Sequence, residues 1–491
     1  MQVKDLFKNI KNDIKLDLEI SGLAIDSRKI KDGYAFICIS GTQRDGHGFA
    51  QQAVQNGAKL LVTERKLPLD IPQVIVENTR EVVGLLASNF YKNPRKSFKL
   101  IGVTGTNGKT TTTYMIKNIL EASGKKVGVI GTIGTMIGDE HFENNLTTPD
   151  PIELHQIFAQ MAKNDVDVVV MEVSAHAIAL HKMQGVICDV GVLTNVTQDH
   201  LDFFGTFEKY AQTKTSFISP TFCKVGIVNA DDSVGMDLLI TMQDESFNNF
   251  KLLSYGINSP ADNFATNIKY EMNGTHYFIN ILDNLACINT RLIGEFNVSN
   301  ALAAASACNV LGIDVETIKL GLNTMDFVSG RINVIKLQNG ASVVIDYAHT
   351  PDGLKNILTS VRNVCNGKLF CVFGCGGNRD AKKRPIMGGI SGELADFTVI
   401  TSDNPRYEKP KAIIDEIKKG IESKTSNFVC IVDRVMAINY VLNELNAGDV
   451  AVIAGKGAEN YLDISGKKVP YSDFETVEQE SKKIFNEAQK C

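Results

Sequence analysis

Short runs of consecutive apolar residues alternate along the chain with longer segments in which apolar positions recur at helical spacing. Runs without polar alternation are typical of parallel strands that helices cover on both faces. In the N-terminal part, the pattern predicts strands at residues 23–25, 35–39, 60–62 and 74–76, and a helix over residues 48–56. The alternation therefore predicts an α/β protein with mostly parallel sheets.

The same alternation continues through the rest of the chain, and polar residues follow almost every apolar run. Predicted strands lie at residues 100–103, 127–130, 167–172, 190–193, 343–346, 369–373, 397–400 and 449–454, and an alanine-rich helix lies at residues 301–307. The carboxyl ends of parallel strands meet at one edge of a sheet, where ligands bind. We therefore expect the polar loops to converge on that edge.

A chain of 491 residues is too long for a single hydrophobic core. The segment Asn93-Pro94-Arg95 interrupts the pattern, because the residue before a proline resists helix formation. Gly330-Arg331 marks a second interruption. We predict three domains: a small N-terminal α/β domain at residues 1–94, a central domain at residues 95–329 and a C-terminal domain at residues 330–491.

Composition and charge narrow the class of protein. Apolar residues make up 44% of the chain and charged residues 22%, which is ordinary for a soluble globular protein. The net charge of -5 gives no overall field that favours nucleic acid. No apolar run is long enough to span a bilayer, and the charged N-terminus lacks the core of a signal peptide. The cysteines are scattered and lack zinc spacing, so we expect reduced thiols in a cytoplasmic protein. As separate expectations, the protein is a monomer and its partners are small-molecule substrates.

The turn after the predicted strand at residues 100–103 is rich in glycine and ends in Lys109-Thr110. Backbone N–H groups of such a turn, together with a helix N-terminus, hold phosphate oxygens. Lys109 would reach the outer phosphates, and the Thr110 hydroxyl would bind Mg²⁺. Val103 stands where the usual spacing has the first glycine, and Gly102 comes one residue early. The alternative is an ordinary turn with a solvated lysine, but the strand before it and the helix after it favour a phosphate-binding loop, or P-loop.

Two further side chains at strand ends suit the same site. Glu172 and Asn195 each come at the end of a buried apolar run. Magnesium takes a few oxygen ligands together with phosphates and water, so Glu172 is the natural partner of Thr110. The alternative is that Glu172 caps the next helix at Ser174. His200 either binds a second metal ion or is a packed or solvated side chain.

Several other polar positions have two interpretations each. Lys214 lies in a helical pattern and, by its own chemistry, is a surface lysine. Asn297 and Asn300 either cap the alanine-rich helix or bind an adenine or a phosphate. The segment Asp26-Ser27-Arg28 either binds a nucleotide or forms a turn with a surface ion pair. Residues 147–150 precede a predicted helix whose N-terminus suits an anion.

In the C-terminal part, Asp346 and His349 come at and after the end of a strand and are site candidates. Three more loops that follow strands carry Arg379, Asp403, Asn404, Arg406 and Glu459. Arginines suit carboxylates and acids suit ammonium groups, so together these side chains predict a site for a small zwitterion. Surface loops with ion pairs are a credible alternative for any single loop and less so for three together.

Five motifs, taken in this order, resemble the Mur ligase family of ATP-dependent amide-forming enzymes. They are Gly105-Thr-Asn-Gly-Lys-Thr110, Met171-Glu-Val-Ser-Ala-His176, Asn195-Val-Thr-Gln-Asp-His-Leu-Asp202, Asp346-Tyr-Ala-His-Thr-Pro351 and Gly455-Lys-Gly-Ala-Glu459. The resemblance covers essentially the whole chain. It implies an N-terminal UDP-binding domain, a central P-loop ATPase with a mostly parallel sheet, and a C-terminal amino-acid-binding domain with a dinucleotide-fold-like sheet.

The resemblance also implies roles for individual residues, with Mg²⁺ as a cofactor and ATP as a substrate. Catalytic roles fall to Lys109, Glu172, His200 and Lys214. The implied ATP contacts are Gly105, Thr106, Asn107, Gly108, Lys109, Thr110, Thr111, Asn297, Arg331 and Asp346. Contacts to a UDP-muramoyl dipeptide are Ser27, Thr147, Thr148, Ser174 and Lys182, the last at a position where relatives often have arginine. The implied metal ligands are Thr110, Glu172, His200 and Lys214, with Lys214 carbamylated to a carboxylate-like ligand.

Within the family, Asp403-Asn-Pro-Arg-Tyr-Glu408 resembles the members that add meso-2,6-diaminopimelate to UDP-N-acetylmuramoyl-L-alanyl-D-glutamate in peptidoglycan synthesis. The implied contacts to diaminopimelate are Arg379, Asp403, Asn404, Pro405, Arg406, Gly455 and Glu459. One alternative is the lysine-adding ligase of the same family. Another is a folylpolyglutamate synthase-like ligase, which the UDP-binding resemblance of the N-terminal region disfavours. A third is a nucleotide-dependent binding switch that performs no ligation.

Overall fold

The structure is a computed structural model that describes residues 1–10, 14, 16–41, 44–138, 140–144, 146–242, 250–325, 328 and 330–488. The strands form one sheet in each of three successive regions of the chain, and a separate hairpin follows the third sheet. Each of these sheets is wholly or mostly parallel, so the predicted α/β fold class is confirmed. The domain limits stay a prediction, and residue 329, the predicted end of the central domain, lies outside the described residues.

The N-terminal sheet is parallel and runs in the order β1-β2-β3-β4. Its strands are β1 Gly22–Ala24, β2 Tyr34–Ile37, β3 Ala58–Thr63 and β4 Gln73–Ile75, and its helices are α1 Val3–Leu6, α2 Ala50–Gln55 and α3 Thr79–Phe90. The predicted helix at residues 48–56 begins instead as a 3₁₀ turn, Gly46–Phe49, which Asp45 caps. Asn93 adopts a left-handed conformation with φ 55°, and the 3₁₀ turn Pro94–Ser97 leads into the central region.

The central sheet runs in the order β15-β14-β13-β12-β11-β10-β5-β9-β6-β7-β8. Its strands are β5 Lys99–Thr104, β6 Val127–Gly131, β7 Gly134–Ile137, β8 Glu140–Phe142, β9 Val168–Glu172, β10 Cys188–Leu193, β11 Cys223–Asn229, β12 Lys251–Gly256, β13 Asn263–Glu271, β14 Gly274–Ile281 and β15 Asn284–Thr290. Its helices are α4 Lys109–Ala122, α5 Pro151–Lys163, α6 Ala175–Ala179, α7 Leu201–Phe204, α8 Phe207–Thr215, α9 Ser233–Thr241, α10 Glu295–Val310 and α11 Val315–Asn323.

The arrangement of the central strands positions the predicted P-loop. Strand β5 lies between β9 and β10, with Val103 paired to Glu172 and Thr104 paired to Leu193. Three chain segments therefore leave the sheet side by side at its carboxyl edge, as the sequence predicted. The expectation that βαβ units continue through this whole region is wrong at both edges, because β6–β8 and β13–β15 are joined as antiparallel hairpins.

The C-terminal sheet runs in the order β16-β17-β21-β18-β19-β20, with only β16 antiparallel to its neighbour among the described strands. The strands are β16 Asn333–Lys336, β17 Ser342–Asp346, β18 Leu369–Phe373, β19 Phe397–Ile400, β20 Phe428–Cys430 and β21 Val450–Ala454, and the hairpin is β22 Tyr461–Ile464 with β23 Lys467–Pro470. The helices are α12 Pro351–Arg362, α13 Lys383–Leu394, α14 Pro410–Ile421, α15 Arg434–Glu444 and α16 Asp473–Ala488.

No helix in the described part of the chain combines the length and the apolar character needed to cross a bilayer.

A buried ion pair ties the last helix to the carboxyl edge of the C-terminal sheet. Arg434 and Asp473 are 3% and 0% exposed and share two hydrogen bonds of 2.8 and 2.7 Å. The same guanidinium donates to the carbonyl oxygens of Ser402 and Ala454, which follow β19 and end β21. The pair therefore holds together the ends of two strands that carry predicted site residues.

Asp473→Asn should lower the free energy of unfolding by about 3–5 kcal/mol, because it leaves a buried guanidinium without its countercharge. Urea denaturation would measure the loss. The matched control is Glu316→Gln, which breaks an exposed pair with Lys319 at 3.0 Å and should change stability by less than about 1 kcal/mol. Equal effects of the two substitutions would show that the buried pair does not anchor α16.

Candidate active site

A cavity of about 350 Å³ lies between the carboxyl edges of the central and C-terminal sheets. On the central side it is lined by residues of the P-loop and by Glu172, His200 and Lys214. On the C-terminal side it is lined by Arg379, Asp403, Asn404, Arg406, Gly455 and Glu459. The three C-terminal loops thus converge, and they converge on the predicted phosphate site in the neighbouring domain.

The P-loop backbone adopts conformations that only glycine enters without strain. Gly105 and Gly108 have φ of 148° and 84°. A Cβ atom at Gly108 would lie 2.3 Å from Oδ1 of Asn300, so this side chain of α10 packs directly on the loop. The Lys109 amine folds back and donates to the carbonyl oxygens of Gly105 and Thr106, each at 2.8 Å. Burial lowers the pKa of Lys109.

Glu172 lies next to the P-loop threonine. Its carboxylate accepts hydrogen bonds from the Thr110 hydroxyl at 3.0 Å and from the Thr132 amide and hydroxyl at 2.9 and 3.0 Å. Helix α6 is capped by Ser174, whose hydroxyl accepts from the Ala177 amide. The alternative interpretation of Glu172 as a helix cap is therefore wrong.

His200 sits on the cavity wall in a left-handed conformation with φ 54°. Its Nε2 lies 3.5 Å from a carboxylate oxygen of Asp199, and its ring packs edge-to-face on His176 with centroids 4.8 Å apart. Burial lowers the pKa of both imidazoles, to about 4 for His176, so the pair is largely neutral at pH 7. A neutral imidazole is the form that binds metal ions.

Lys214 is not a surface lysine, and the interpretation from its own chemistry is wrong. It is 1% exposed, and its amine donates to the Gly105 carbonyl at 2.6 Å. The same amine lies 4.9 Å from the centroid of the Tyr210 ring. Burial, together with the charge of Lys109, lowers the pKa of Lys214 well below its usual value.

A second cavity of about 450 Å³ adjoins the first at Asn107 and Gly108. It is lined by the predicted ATP contacts Thr111, Asn297, Arg331 and Asp346, and also by His349, which borders both cavities. The helix that carries Asn297 begins at Glu295, so Asn297 lies in its first turn and donates to the Ile293 carbonyl at 2.9 Å. Asn300 is likewise inside this helix, so neither residue is its cap.

Two hydrogen bonds cross from the P-loop region to the C-terminal region. The amide of Asn107 donates to a carboxylate oxygen of Asp352 at 2.9 Å. A guanidinium nitrogen of Arg331 donates to the Thr110 hydroxyl at 3.3 Å. The Arg331 guanidinium also stacks on the Tyr347 ring, 4.6 Å from its centroid. The two hydrogen bonds join the central and C-terminal regions beside the cavities.

On the C-terminal wall, a buried lysine organises the acidic and amide side chains. Lys456 is 0% exposed and donates to Oε2 of Glu459 at 2.8 Å and to Oδ1 of Asn404 at 3.1 Å. The Asn404 amide in turn donates to Glu459 at 2.8 Å. Arg406 donates to the Gly377 carbonyl at 2.8 Å and lies 3.6 Å from the Asp463 carboxylate. The wall therefore presents guanidinium and carboxylate groups together.

Some predicted residues lie away from the cavities or behind their walls. Thr147 and Ser174 line the first cavity, whereas Thr148 is buried behind it and donates to the Glu172 carbonyl at 2.9 Å. Lys182 pairs with Asp150 at 2.8 Å and lines neither cavity. Gly105 and Pro405 also lie outside both linings.

Residues 26–28, which were predicted either to bind a nucleotide or to form a turn with a surface ion pair, form that turn and ion pair. Asp26 pairs with Arg28 at 2.8 Å and caps the 3₁₀ turn Ser27–Lys29. The hydroxyl of Ser27 donates to the Gln52 side chain at 2.8 Å. A UDP contact at Ser27 stays a prediction.

Several lining residues were missed by sequence reasoning. Thr132, Tyr347 and Lys383 line the first cavity, and Asp352 lines the second. Lys383 begins α13, directly after the loop that carries Arg379, so the prediction of that loop as part of the site already pointed to its surroundings. Thr132 follows β6, Tyr347 follows β17 and Asp352 lies in the first turn of α12, so no single sequence pattern marks the three together.

The donor set fits a magnesium ion that is completed by phosphate. Thr110 and Glu172 supply a hydroxyl and a carboxylate in the cavity wall, with His200 and Lys214 nearby. In the described part of the chain, no group of three or more His, Cys, Asp or Glu side chains is placed to hold a metal by itself. Magnesium usually keeps one or two protein carboxylates and takes its other ligands from water and substrate phosphates.

The chain matches family models along most of its length. The models are described as the Mur ligase family catalytic domain, at residues 19–91, the Mur ligase middle domain, at residues 103–308, and the Mur ligase glutamate ligase domain, at residues 330–457. Their order is the order of the three sheets.

Two curated proteins and one solved structure resemble the chain over its full length. UDP-N-acetylmuramoyl-L-alanyl-D-glutamate–2,6-diaminopimelate ligase 1 of Clostridium acetobutylicum is 41% identical, covering 99% of this chain and 100% of that protein. The corresponding ligase of Caldanaerobacter subterraneus is 41% identical, covering 100% of both chains. A solved structure of a UDP-N-acetylmuramoyl-L-alanyl-D-glutamate–2,6-diaminopimelate ligase has a TM-score of 0.71 at 29% identity and covers 99% of each chain. The chain belongs to the Mur ligase family.

Proposed function

We propose that the protein is an ATP-dependent ligase that adds meso-2,6-diaminopimelate to UDP-N-acetylmuramoyl-L-alanyl-D-glutamate. The observation that carries this proposal is the cavity that the two sheets share. A P-loop lies on one wall, and a set of guanidinium, amide and carboxylate groups lies on the other. The names of full-length relatives at 41% identity support the same substrates. The reaction belongs to cytoplasmic peptidoglycan synthesis, and so to cell shape and cell division.

The proposed chemistry activates a carboxylate that is otherwise a poor electrophile. A D-glutamate carboxylate oxygen attacks the γ-phosphorus of ATP, the bond to the bridging oxygen breaks, and an acyl phosphate and ADP form. The diaminopimelate amine then attacks the acyl carbon, losing a proton, and phosphate leaves from a tetrahedral intermediate to give the amide. Positioning and electrostatics carry most of such catalysis.

The residues of the chain lower the repulsion between the carboxylate and the triphosphate. With ATP bound, the P-loop amides and the Lys109 amine would face phosphate oxygens, and Arg331 would add a guanidinium from the other domain. When bound, Mg²⁺ supplies further positive charge at the transferred phosphate. Thr110, Glu172, His200 and a carbamylated Lys214 would hold it.

Lys214 is suited to carbamylation because it is buried beside the P-loop and its pKa is lowered. Only a neutral amine reacts with CO₂, forming a carbamate and releasing a proton. The product is an anion, which can hold a metal ion that the unmodified lysine would repel.

Arg406 would select the amino acid. A bidentate pair between its guanidinium and the distal carboxylate of diaminopimelate leaves lysine, which lacks that group, opposite an unpaired arginine. Sites built on such polar pairing discriminate by roughly 10⁴-fold. This argument favours diaminopimelate over the lysine-adding alternative.

An amino-acid panel tests the proposed function. Purified protein, ATP, Mg²⁺ and the UDP-muramoyl dipeptide are incubated with one amino acid at a time, and phosphate release is measured. We expect release with meso-diaminopimelate and at least about 10³-fold less with lysine. Preference for lysine would establish the lysine-adding activity. Phosphate release that does not depend on the amino acid would favour a binding switch.

Arg406→Ala should abolish most diaminopimelate-dependent phosphate release while leaving ATP binding intact. The reason is that Arg406 lies on the amino-acid wall and not on the P-loop. Lys409→Ala, which removes an exposed positive charge from the same segment, is the matched control and should retain activity. If both variants keep the activity of the unmodified protein, Arg406 does not bind the distal carboxylate.

Lys214→Ala should be inactive, and a small carboxylate such as formate should restore part of the activity by occupying the place of the carbamate. The protein without substitutions should gain the mass of one CO₂ in bicarbonate buffer. Lys209→Ala, on the exposed face of the same helix, is the control and should behave like the unmodified protein. A Lys214→Ala variant that is active without added carboxylate would rule out the carbamate.

A further inference from the structure

We propose that Arg384 is a positioning residue for amino-acid selection, acting through an ion pair with Glu408 that fixes the loop carrying Arg406. The inference rests on the proposed function and adds to it a pair of residues outside the substrate contacts. Arg384 lines neither of the two cavities. Its role follows from what it holds in place.

Arg384 is a buried arginine at the centre of a charged cluster. It lies in the first turn of α13 and is 1% exposed. Its two terminal nitrogens donate to the two carboxylate oxygens of Glu408, both at 2.9 Å, in a bidentate pair. Nη1 also donates to Glu416 of α14 at 2.9 Å, and Nη2 donates to the Gly376 carbonyl at 3.2 Å. Bidentate pairs of this kind fix geometry as well as supplying energy.

Glu408 joins two loops of the amino-acid wall. One carboxylate oxygen accepts from the Asn378 amide, in the loop that carries Arg379. Its own backbone amide donates to the Pro405 carbonyl at 3.0 Å, which closes a turn around Arg406. Arg406 sits in this turn with φ of 50°, a conformation that is strained for a residue with a side chain. The turn therefore needs external contacts to persist.

The Arg406 guanidinium is held by the same pair of loops. Its Nη1 donates to the Gly377 carbonyl at 2.8 Å. A Cβ atom at Gly376 would lie 2.9 Å from that nitrogen, and one at Gly377 would lie 2.0 Å from the Pro405 carbonyl oxygen. The loops are thus packed too closely for side chains at these glycines. A shift of Glu408 would therefore displace the loop whose Gly377 carbonyl holds the Arg406 guanidinium.

The other side of the Arg406 turn rests on the β22–β23 hairpin. The Arg406 amide donates to the Asp463 carbonyl at 2.9 Å, and the Ser465 amide donates to the Arg406 carbonyl at 2.7 Å. The hairpin fixes the backbone from one side, and the Arg384–Glu408 pair fixes it from the other. Displacement of a substrate-positioning group by about 1 Å can cost roughly 10²-fold in rate.

The test compares two carboxylates that share the same arginine. Glu408→Gln removes the charge on the Arg406 loop, and Glu416→Gln removes the charge on α14. Glu408 is the better target than Arg384, because its side chain is 32% exposed and the substitution preserves its shape. For each variant, the KM for meso-diaminopimelate, the KM for ATP, the diaminopimelate-to-lysine ratio of kcat/KM and the Tm are measured.

We expect Glu408→Gln to raise the KM for meso-diaminopimelate and to lower the diaminopimelate-to-lysine ratio, each by about tenfold or more, with the KM for ATP unchanged. Glu416→Gln should leave both amino-acid quantities within about twofold, whatever its effect on Tm. Equal loss of selectivity in the two variants, or none in Glu408→Gln, would overturn the positioning role. A lack of diaminopimelate-dependent phosphate release in the unmodified protein would refute the proposed function itself, so the two failures are distinguishable.

Discussion

The hydrogen bonds that join the P-loop region to the C-terminal region are the contacts on which the proposed chemistry depends. Asn107 reaches Asp352, and Arg331 reaches Thr110, across the line where the two sheets face each other. A phosphorylated acid has to meet an amine held on a separate domain, so the two sheet edges must stand at a fixed separation. Closure of domains around substrates commonly completes such sites.

Burial lowers the pKa values of the two lysines beside this junction. Lys109 and Lys214 both lie against the Gly105 carbonyl, and burial lowers the pKa of each. Two lysines so close to one carbonyl would repel each other if both were charged, and the proposed carbamylation of Lys214 would remove that repulsion. On the C-terminal side, oppositely charged side chains pair, as in Lys456 with Glu459 at the wall and Arg384 with Glu408 behind it. One wall is thereby suited to phosphate and metal, and the other to a zwitterion.

Much of the fold follows from apolar runs, and the exceptions have physical causes. The predicted strands at residues 369–373 and 397–400 match β18 and β19, because uninterrupted apolar runs suit buried parallel strands. Strands β13–β15 were missed, because their exposed faces break such runs with polar residues. These strands form antiparallel hairpins at the edge of the sheet, so no helical segment between them indicates where each strand begins or ends.

The site residues likewise divide into those that the sequence placed correctly and those that it did not. Glu172, Asn195 and the C-terminal loops were placed correctly on sheet edges, because strand ends are visible in the sequence. The burial of Lys214 was not visible, since it depends on α8 packing under the P-loop. The Arg384–Glu408 pair joins separate elements, so local pattern could not predict it.

In the proposed reaction, the acid and the amine meet in one cavity through an acyl phosphate. One measurement tests this directly: it uses a UDP-muramoyl dipeptide in which both oxygens of the D-glutamate carboxylate that becomes the amide are a heavy oxygen isotope. Mass spectrometry then follows the label in the phosphate released during ligation with meso-diaminopimelate. We expect one labelled oxygen in each phosphate, because a carboxylate oxygen leaves with phosphorus. Phosphate that carries no label, with ligation proceeding, would contradict it.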